Sequence, residues 1–346
     1  MQNGSEMERR LNILYQFNEK YAPYAGVSIF SILCNNRKIK EIHFYILGED
    51  LIDASKIKIE KMIEDAGREV DFIDTNQLIR KMKALDMPTY RGSYAANMRL
   101  FLDEVLAENV ERVLYLDADT IVDSTLGELL NADLQGKAIG MVLDSLGESH
   151  KRQIGLAGDD DYYNSGVILF DMKRWKEEQY SKRIAEHVAK RRSHYPAPDQ
   201  DLLNVVCKGD ILRLGAEYNF QPAHAAFLDK QYYSIMRPRK YYSRNELVRA
   251  RKRIVIYHCF RFLGEFPWNR GNLHPHNEIF DEYLRKSPWA DYEKKAADNS
   301  IIIKIEKVLY KILPGALFLP IFRIAHTAFL HRANKESLQN KTDKLM

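Results

Sequence analysis

A chain of 346 residues, 45% hydrophobic and 29% charged, has the composition of a folded globular protein and excludes disorder over most of its length. Cys34, Cys207 and Cys259 are too few and too scattered for a disulfide framework or a zinc knuckle, which fits a reducing compartment. The net charge of +4 is gathered at one end: residues 301–346 hold eight lysines and arginines against three carboxylates, a surplus of five that leaves −1 for the first 300 residues and no basic stripe for a nucleic acid.

The first residues, MQNGSEMERR, are polar and lack the apolar core of a secretory signal, so the expected location is the cytoplasm. Runs rich in β-branched and aromatic residues follow at NILYQF (12–17), EIHFYIL (41–47), EVDFI (69–73), RVLYL (112–116), AIGMVL (138–143) and SGVILF (165–170). Amphipathic stretches with helical spacing lie around 22–34, 51–66 and 92–107. Strands alternating with helices predict an α/β fold, a single Rossmann-like domain with a mostly parallel central sheet. Such sheets bind ligands beyond the carboxyl ends of their strands, where Asn18 and Asp117 would sit. From Pro196 the pattern becomes irregular: PAPDQDLLNVV opens a short helix, a strand-like IVIYHC (254–259) stands alone, and FPWNRGNLHPHN is crowded with turn formers. The expected organisation is one domain over 1–298 and a basic amphipathic tail over 299–346.

The segment RVLYLDADTIVD (112–123) runs an apolar strand into two aspartates. A turn between Asp117 and Asp119 lets both carboxylates converge on one hard divalent cation. The plainer reading is a turn-forming pair, against which stands the cost of two like charges at a buried strand end without a counter-ion. The same letters also fit the Asp-x-Asp-x-Thr of a haloacid-dehalogenase-type phosphatase with Asp117 as nucleophile. That chemistry starts near the beginning of a chain, whereas this motif follows three strand–helix units, and the GDDD at 158–161 comes too soon after it.

Reading outward from DADT, the chain resembles the retaining glycosyltransferases of family 8, whose members include bacterial lipopolysaccharide galactosyl- and glucosyltransferases. The resemblance rests on six pieces in the family's order: NILYQFNEKYAPYAGVSIFSIL, SYAANMRLFLDEVL, VERVLYLDADTIV, DYYNSGVILFDMKRW, PDQDLLN and YHCF…FPW. It implies a GT-A nucleotide-sugar-binding domain in which Asp117, Asp119 and His258 hold Mn²⁺ or Mg²⁺. By itself, a lone histidine on an apolar strand reads as a packed core residue. The resemblance further implies that Gln16, Asn18 and Tyr21 take the nucleoside, with Asn18 where the family usually carries an acidic residue. Arg99 would touch donor sugar and phosphate, and Asp117, Ala118 and Gly264 would line the donor. Asn164 and Ser165 would hold sugar hydroxyls, while Asp199, Gln200 and Asp144 would stand around the reacting carbon. Ordinary roles compete for these positions: an Asx turn at Asn18, a solvated helix charge at Arg99, an N-cap at Asp199.

The activity implied is transfer of a hexose from UDP-galactose or UDP-glucose to a cell-envelope glycan or glycolipid, or, in a non-catalytic relative, binding of the sugar nucleotide alone. In one respect the chain departs from the pattern. Many members carry a lysine just before the Pro-Trp that follows the metal histidine, and here Phe266 precedes Pro267 and Trp268, leaving Arg261 or Arg270 to supply the charge. The tail, IIIKIEKVLYKILPGALFLPIFRIAHTAFLHRA (301–333), contains an uncharged stretch from Ile312 to Phe322, well below the ~20 residues that span a bilayer. It reads as two short helices lying on an anionic membrane, placing the protein at the inner face of the plasma membrane, or as a helix pair packed on the domain.

Overall fold

The computed structural model describes residues 10–89, 92–191, 195–236, 240–297 and 300–324. Strands β1 (Leu11–Asn18), β2 (Ile42–Glu49), β3 (Glu69–Ile73), β4 (Arg112–Leu116), β6 (Ile139–Leu143), β7 (Tyr163–Asp171) and β8 (Ile211–Arg213) form a seven-stranded sheet in the order β3-β2-β1-β4-β7-β6-β8. Every pairing is parallel except those of β7, which runs against both β4 and β6. The strands read as continuous apolar runs because helices cover the faces; β4 and β6 are buried almost end to end.

A short second ribbon pairs β5 (Thr120–Val122) with β9 (Ile256–His258), antiparallel, with Thr120 opposite His258. This ribbon was not legible as a pairing, since its two halves lie more than a hundred residues apart in sequence. The helix expected over 92–107 is instead a tight 3-10 run, Ala95–Glu104, broken at Phe101. Residues 97–102 are all buried, so the run has no solvent face to favour a regular amphipathic helix; Glu49 fixes its start by accepting from Tyr94 N and Ala95 N at 3.1 and 3.3 Å.

One large apolar cluster gathers residues from Leu11 to Trp289. A smaller one joins Phe227, Phe262 and Leu263 to Phe318 and Leu319 of the tail. The tail is helical over Ile301–Ile312 and again over 315–324. Residues 298–299, where the expected domain boundary falls, and 325–346 of the basic tail lie outside the described residues. No helix among the described residues is long and apolar enough to cross a membrane.

Candidate active site

The carboxyl ends of the adjacent strands β1 and β4 open the site, with Tyr15 in register with Leu116, so that Gln16 stands level with Asp117. Asp117 N still donates to Gly166 O of β7 at 2.8 Å, and the chain then turns: Thr120 donates through both N and Oγ1 to Asp117 O, at 3.2 and 2.8 Å. That turn brings the two carboxylates to one side. The β5–β9 ribbon adds the third group, because Cys259 N donates to Asp119 O at 2.7 Å and locks His258 beside the turn. His258 Nε2 lies 3.2 Å from Asp119 Oδ1 and 3.6 Å from Asp117 Oδ2. One ligand atom from each of the three residues falls within 4.8 Å of the others.

The electrostatics match a cation site. Burial opposes a charge on His258, but Asp119, by charge and hydrogen bond, and then Asp117 outweigh it and raise the imidazole above its ordinary pKa. Gly166 leaves room for the ring: a Cβ there would lie 2.1 Å from His258 Cε1. The donor set, the convergence and the fitted glycine suit a divalent ion.

Arg99 is not a solvated charge. It is 4% exposed, pairs with Asp117 at 3.0 Å and Asp199 at 3.5 Å, donates to Ser165 O at 2.6 Å, and lies over the Tyr115 ring. Burial works against its charge, yet Asp117, Tyr115 and Asp199 hold its pKa above the usual range. Asp199 responds in the opposite sense: its burial raises the carboxyl pKa, and Arg99 only partly offsets this. Tyr115 donates to Asp117 Oδ1.

Gln200, Asp144, Asn164 and Ser165 meet around a bulge in β7. The β6–β7 register jumps between Met141 and Val142, which face Ile168 and Asn164. The freed amides find side chains: Ser165 N donates to Gln200 Oε1 at 3.1 Å, and Gly166 N to Asn164 Oδ1 at 3.0 Å. Gln200 Nε2 reaches Tyr162 OH at 3.1 Å and Asp144 Oδ2 at 3.3 Å, while Asn164 Nδ2 donates to Asp144 Oδ2 at 3.1 Å. Ser165 Oγ donates to Asp199 at 3.0 Å. Ala118 is buried between the two aspartates.

At the end of β1, Gln16 Nε2 donates to Ala96 O at 2.8 Å, but Gln16 Oε1 and Asn18 Oδ1 are buried and accept nothing among the described residues. Tyr21 meets Trp268 edge-on at 6.2 Å; Trp268 in turn stacks on Tyr24 at 3.9 Å and on Phe266 at 4.6 Å. Phe266, standing where a lysine is common, therefore belongs to an aromatic stack. Arg270 is turned aside, its Nε donating to Lys294 O at 3.2 Å. Arg261 is exposed and follows Phe260, whose ring meets His258 edge-on at 4.8 Å. Gly264 takes a left-handed φ of +75° in the hairpin Phe262–Glu265, whose apolar neighbours belong to the tail cluster.

The family model for glycosyl transferase family 8 matches residues 12–270. The chain belongs to this family. It is 28% identical over 298 residues to the lipopolysaccharide 1,2-glucosyltransferase of Escherichia coli (strain K12), covering 85% of this chain and 83% of that one. It is 25% identical over 295 residues to the lipopolysaccharide 1,3-galactosyltransferase of Salmonella typhimurium, covering 81% and 80%. Its fold matches a crystal structure of the galactosyltransferase LgtC in complex with donor and acceptor sugar analogues, with a TM-score of 0.64, 26% identity, and 80% and 96% of the two chains covered. The protein is thus a GT-A-type glycosyltransferase, and family membership decides between the two chemistries that DADT allowed. Sequence reasoning missed Tyr115, Tyr162, Gly166 and Asn219 in this family 8 site. Tyr115 stands two residues before Asp117, on the same face of β4, a spacing that could have marked it; the other three are brought in by the β7 bulge and by the contacts of β9, which no local spacing records.

Proposed function

We propose that this family 8 protein transfers galactose or glucose from a UDP-sugar, with retention, to a cell-envelope glycan or glycolipid such as lipopolysaccharide. The convergence of Asp117, Asp119 and His258 at the carboxyl end of the sheet carries this reading. Two carboxylates and one imidazole favour Mn²⁺, with Mg²⁺ as the harder alternative, and such an ion would act as a Lewis acid toward the departing diphosphate.

The chain's own residues do the rest. The orphaned acceptors Gln16 Oε1 and Asn18 Oδ1 suit the N3–H of uracil or a ribose hydroxyl, since a buried acceptor left unpaired costs free energy that a bound donor recovers. Arg99 holds Asp117 and Asp199 in place beside the sugar subsite. Arg261 is favoured over Arg270 as the cation for the diphosphate, because Arg270 is engaged with the Lys294 carbonyl. Gln200 is a weak nucleophile with its amide already bonded at both ends, and Asp199 is held by Arg99 and Ser165, so neither suits a covalent double displacement. Same-face attack, with a phosphate oxygen of the donor taking the acceptor proton, fits this arrangement and leaves positioning and electrostatics to lower the barrier.

Residues 299–346 are proposed as an appendage that meets an anionic membrane at the inner face of the plasma membrane. Ile301, Ile305, Val308 and Ile312 fall on one stripe of the tail helix and are 54–70% exposed, with Lys304 and Lys311 flanking it. The two readings of the tail are compatible, because Phe318 and Leu319 pack on the domain while that stripe does not.

A panel of UDP-sugars assayed with Mn²⁺ for UDP release tests the activity. One hexose donor should be consumed, with stimulation by acceptor. UDP binding without consumption of any donor would mean a non-catalytic relative.

A further inference from the structure

Asn219 was assigned no role by its sequence, and it stands 1% exposed at the back of His258. Its place is set by main-chain bonds on both sides: Phe220 N donates to Ile256 O at 2.8 Å, and His258 N to Phe220 O at 3.1 Å. Asn219 and His258 therefore cannot shift relative to one another without opening the ribbon edge.

The orientation of the amides follows from a group that cannot flip. Gly166 N–H can only donate, so the Asn164 atom 3.0 Å away is Oδ1. The other end of that amide then faces the Asp144 carboxylate at 3.1 Å, which can only accept from it, and the two ends agree. Asn164 Oδ1 has a second lone pair, filled by Asn219 Nδ2 at 2.8 Å. Asn219 Oδ1 is thereby turned to His258 Nδ1, also at 2.8 Å, and that nitrogen must carry a hydrogen. Nε2 is left facing Asp117 and Asp119.

We propose that Asn219 is a positioning residue of the metal site, accepting the Nδ1–H of His258 so that the Nε2 lone pair is presented to an ion shared with Asp117 and Asp119. The proposal rests on the metal reading above. The bulge in β7 is part of the device: it releases Gly166 N–H from the sheet to anchor Asn164, and the missing Gly166 side chain leaves the space that the imidazole fills. The same chain of bonds ends on Asp144, which also receives Gln200, so the orientation of the metal histidine is tied to the sugar subsite.

The test uses the full chain, titrated with Mn²⁺ and followed by electron paramagnetic resonance of the free ion. Asn219→Ala should weaken binding by about 10–100-fold, the usual cost of losing a hydrogen-bond partner behind a metal histidine. Asn219→Asp keeps an acceptor for Nδ1–H but gives up the donation to Asn164 Oδ1, so it should bind Mn²⁺ more tightly than Asn219→Ala while recovering only part of that loss. In a His258→Ala background, Asn219→Ala should cost nothing further, whereas a merely structural asparagine would give the same loss in both backgrounds. Nitrogen NMR of histidine-labelled wild type loaded with Mg²⁺ should show the proton of His258 on Nδ1; a proton on Nε2 would overturn the proposal, as would unchanged Mn²⁺ affinity in Asn219→Ala. If Asn219→Ala does not fold, the Asp variant and the NMR assignment decide. His258→Ala binding Mn²⁺ as tightly as wild type would instead defeat the metal reading and this proposal with it.

Discussion

The carboxyl end of the sheet and the tail helix Ile301–Ile312 present opposite problems. At the first, charged and polar groups are gathered in a buried place, and nearly all are bound to one another: Arg99 to Asp117 and Asp199, His258 to Asn219 and Asp119, Gln200 to Ser165, Tyr162 and Asp144. At the second, apolar groups that could be buried are left in water, with Ile301 and Ile312 70% and 66% exposed. Burying polar groups is costly unless each finds a partner, so the first region displays its own internal logic. The exposed apolar stripe has no such resolution among the described residues.

The tail helix meets the hairpin after His258 through an ion pair and through Tyr310, whose ring stands edge-on to Phe262 at 5.8 Å. Lys307 of the tail pairs with Glu265, which is 2% exposed in the hairpin that follows His258 and also accepts from Leu273 N at 3.3 Å. Leu263, in the same hairpin, has a left-handed φ of +46° and is held among Phe227, Phe318 and Leu319. A branched residue in that conformation is strained, and its burial against the tail offsets the strain. The tail is thus a structural support for the hairpin as well as a candidate contact surface.

The contrast is most sharply tested at Asp117 and Asp119. Asp117→Asn with Asp119→Asn should lower UDP release by on the order of 10²–10³ or more while the fold persists; an active double variant would remove the basis for the site. Gly166→Ala probes the same region by volume alone. Its Cβ would meet His258 at 2.1 Å, so Mn²⁺ affinity should fall together with a stability loss of about 1–3 kcal/mol, read by titration and denaturant unfolding. Unaltered affinity would show that the ring need not sit against the strand.

At the junction, Lys307→Met removes one partner of the buried Glu265 and should cost about 1–3 kcal/mol in urea unfolding. Pairing it with Glu265→Gln should recover part of that loss, because the buried carboxylate then no longer carries a charge that has lost a cationic partner. Replacing Ile305 and Val308 by glutamate should be the mildest change to the fold, within about 0.5 kcal/mol at each exposed position. It should nevertheless abolish sedimentation with phosphatidylglycerol vesicles and leave UDP release from a soluble assay unchanged. Undiminished vesicle binding would remove the membrane from the account of the tail.

Much of the candidate site was legible because its residues are local in sequence or belong to ordered motifs. Asp117 and Asp119 lie at a strand end, and the β-branched and aromatic residues of the preceding apolar run announce the strand. His258 was reached only through resemblance, since IVIYHC alone reads as core. The 3-10 run carrying Arg99 looked like an ordinary helix because its apolar spacing is helical, and only burial on all sides betrays the difference. The tail's two readings stayed open for the same kind of reason: an amphipathic pattern says that one face seeks cover and not what covers it.

Composition and periodicity by themselves determined the α/β class, six of the seven strands of the central sheet and the aspartate pair at the end of β4, because these depend on neighbours within a few residues; the three-residue β8 was too short to read. The tertiary structure alone decided that β5 pairs with β9, that β7 bulges and that Asn219 stands behind His258. Each of these depends on contacts between segments tens to more than a hundred residues apart, where one backbone amide of Gly166 sets the direction of three side chains, and no local pattern records such a constraint.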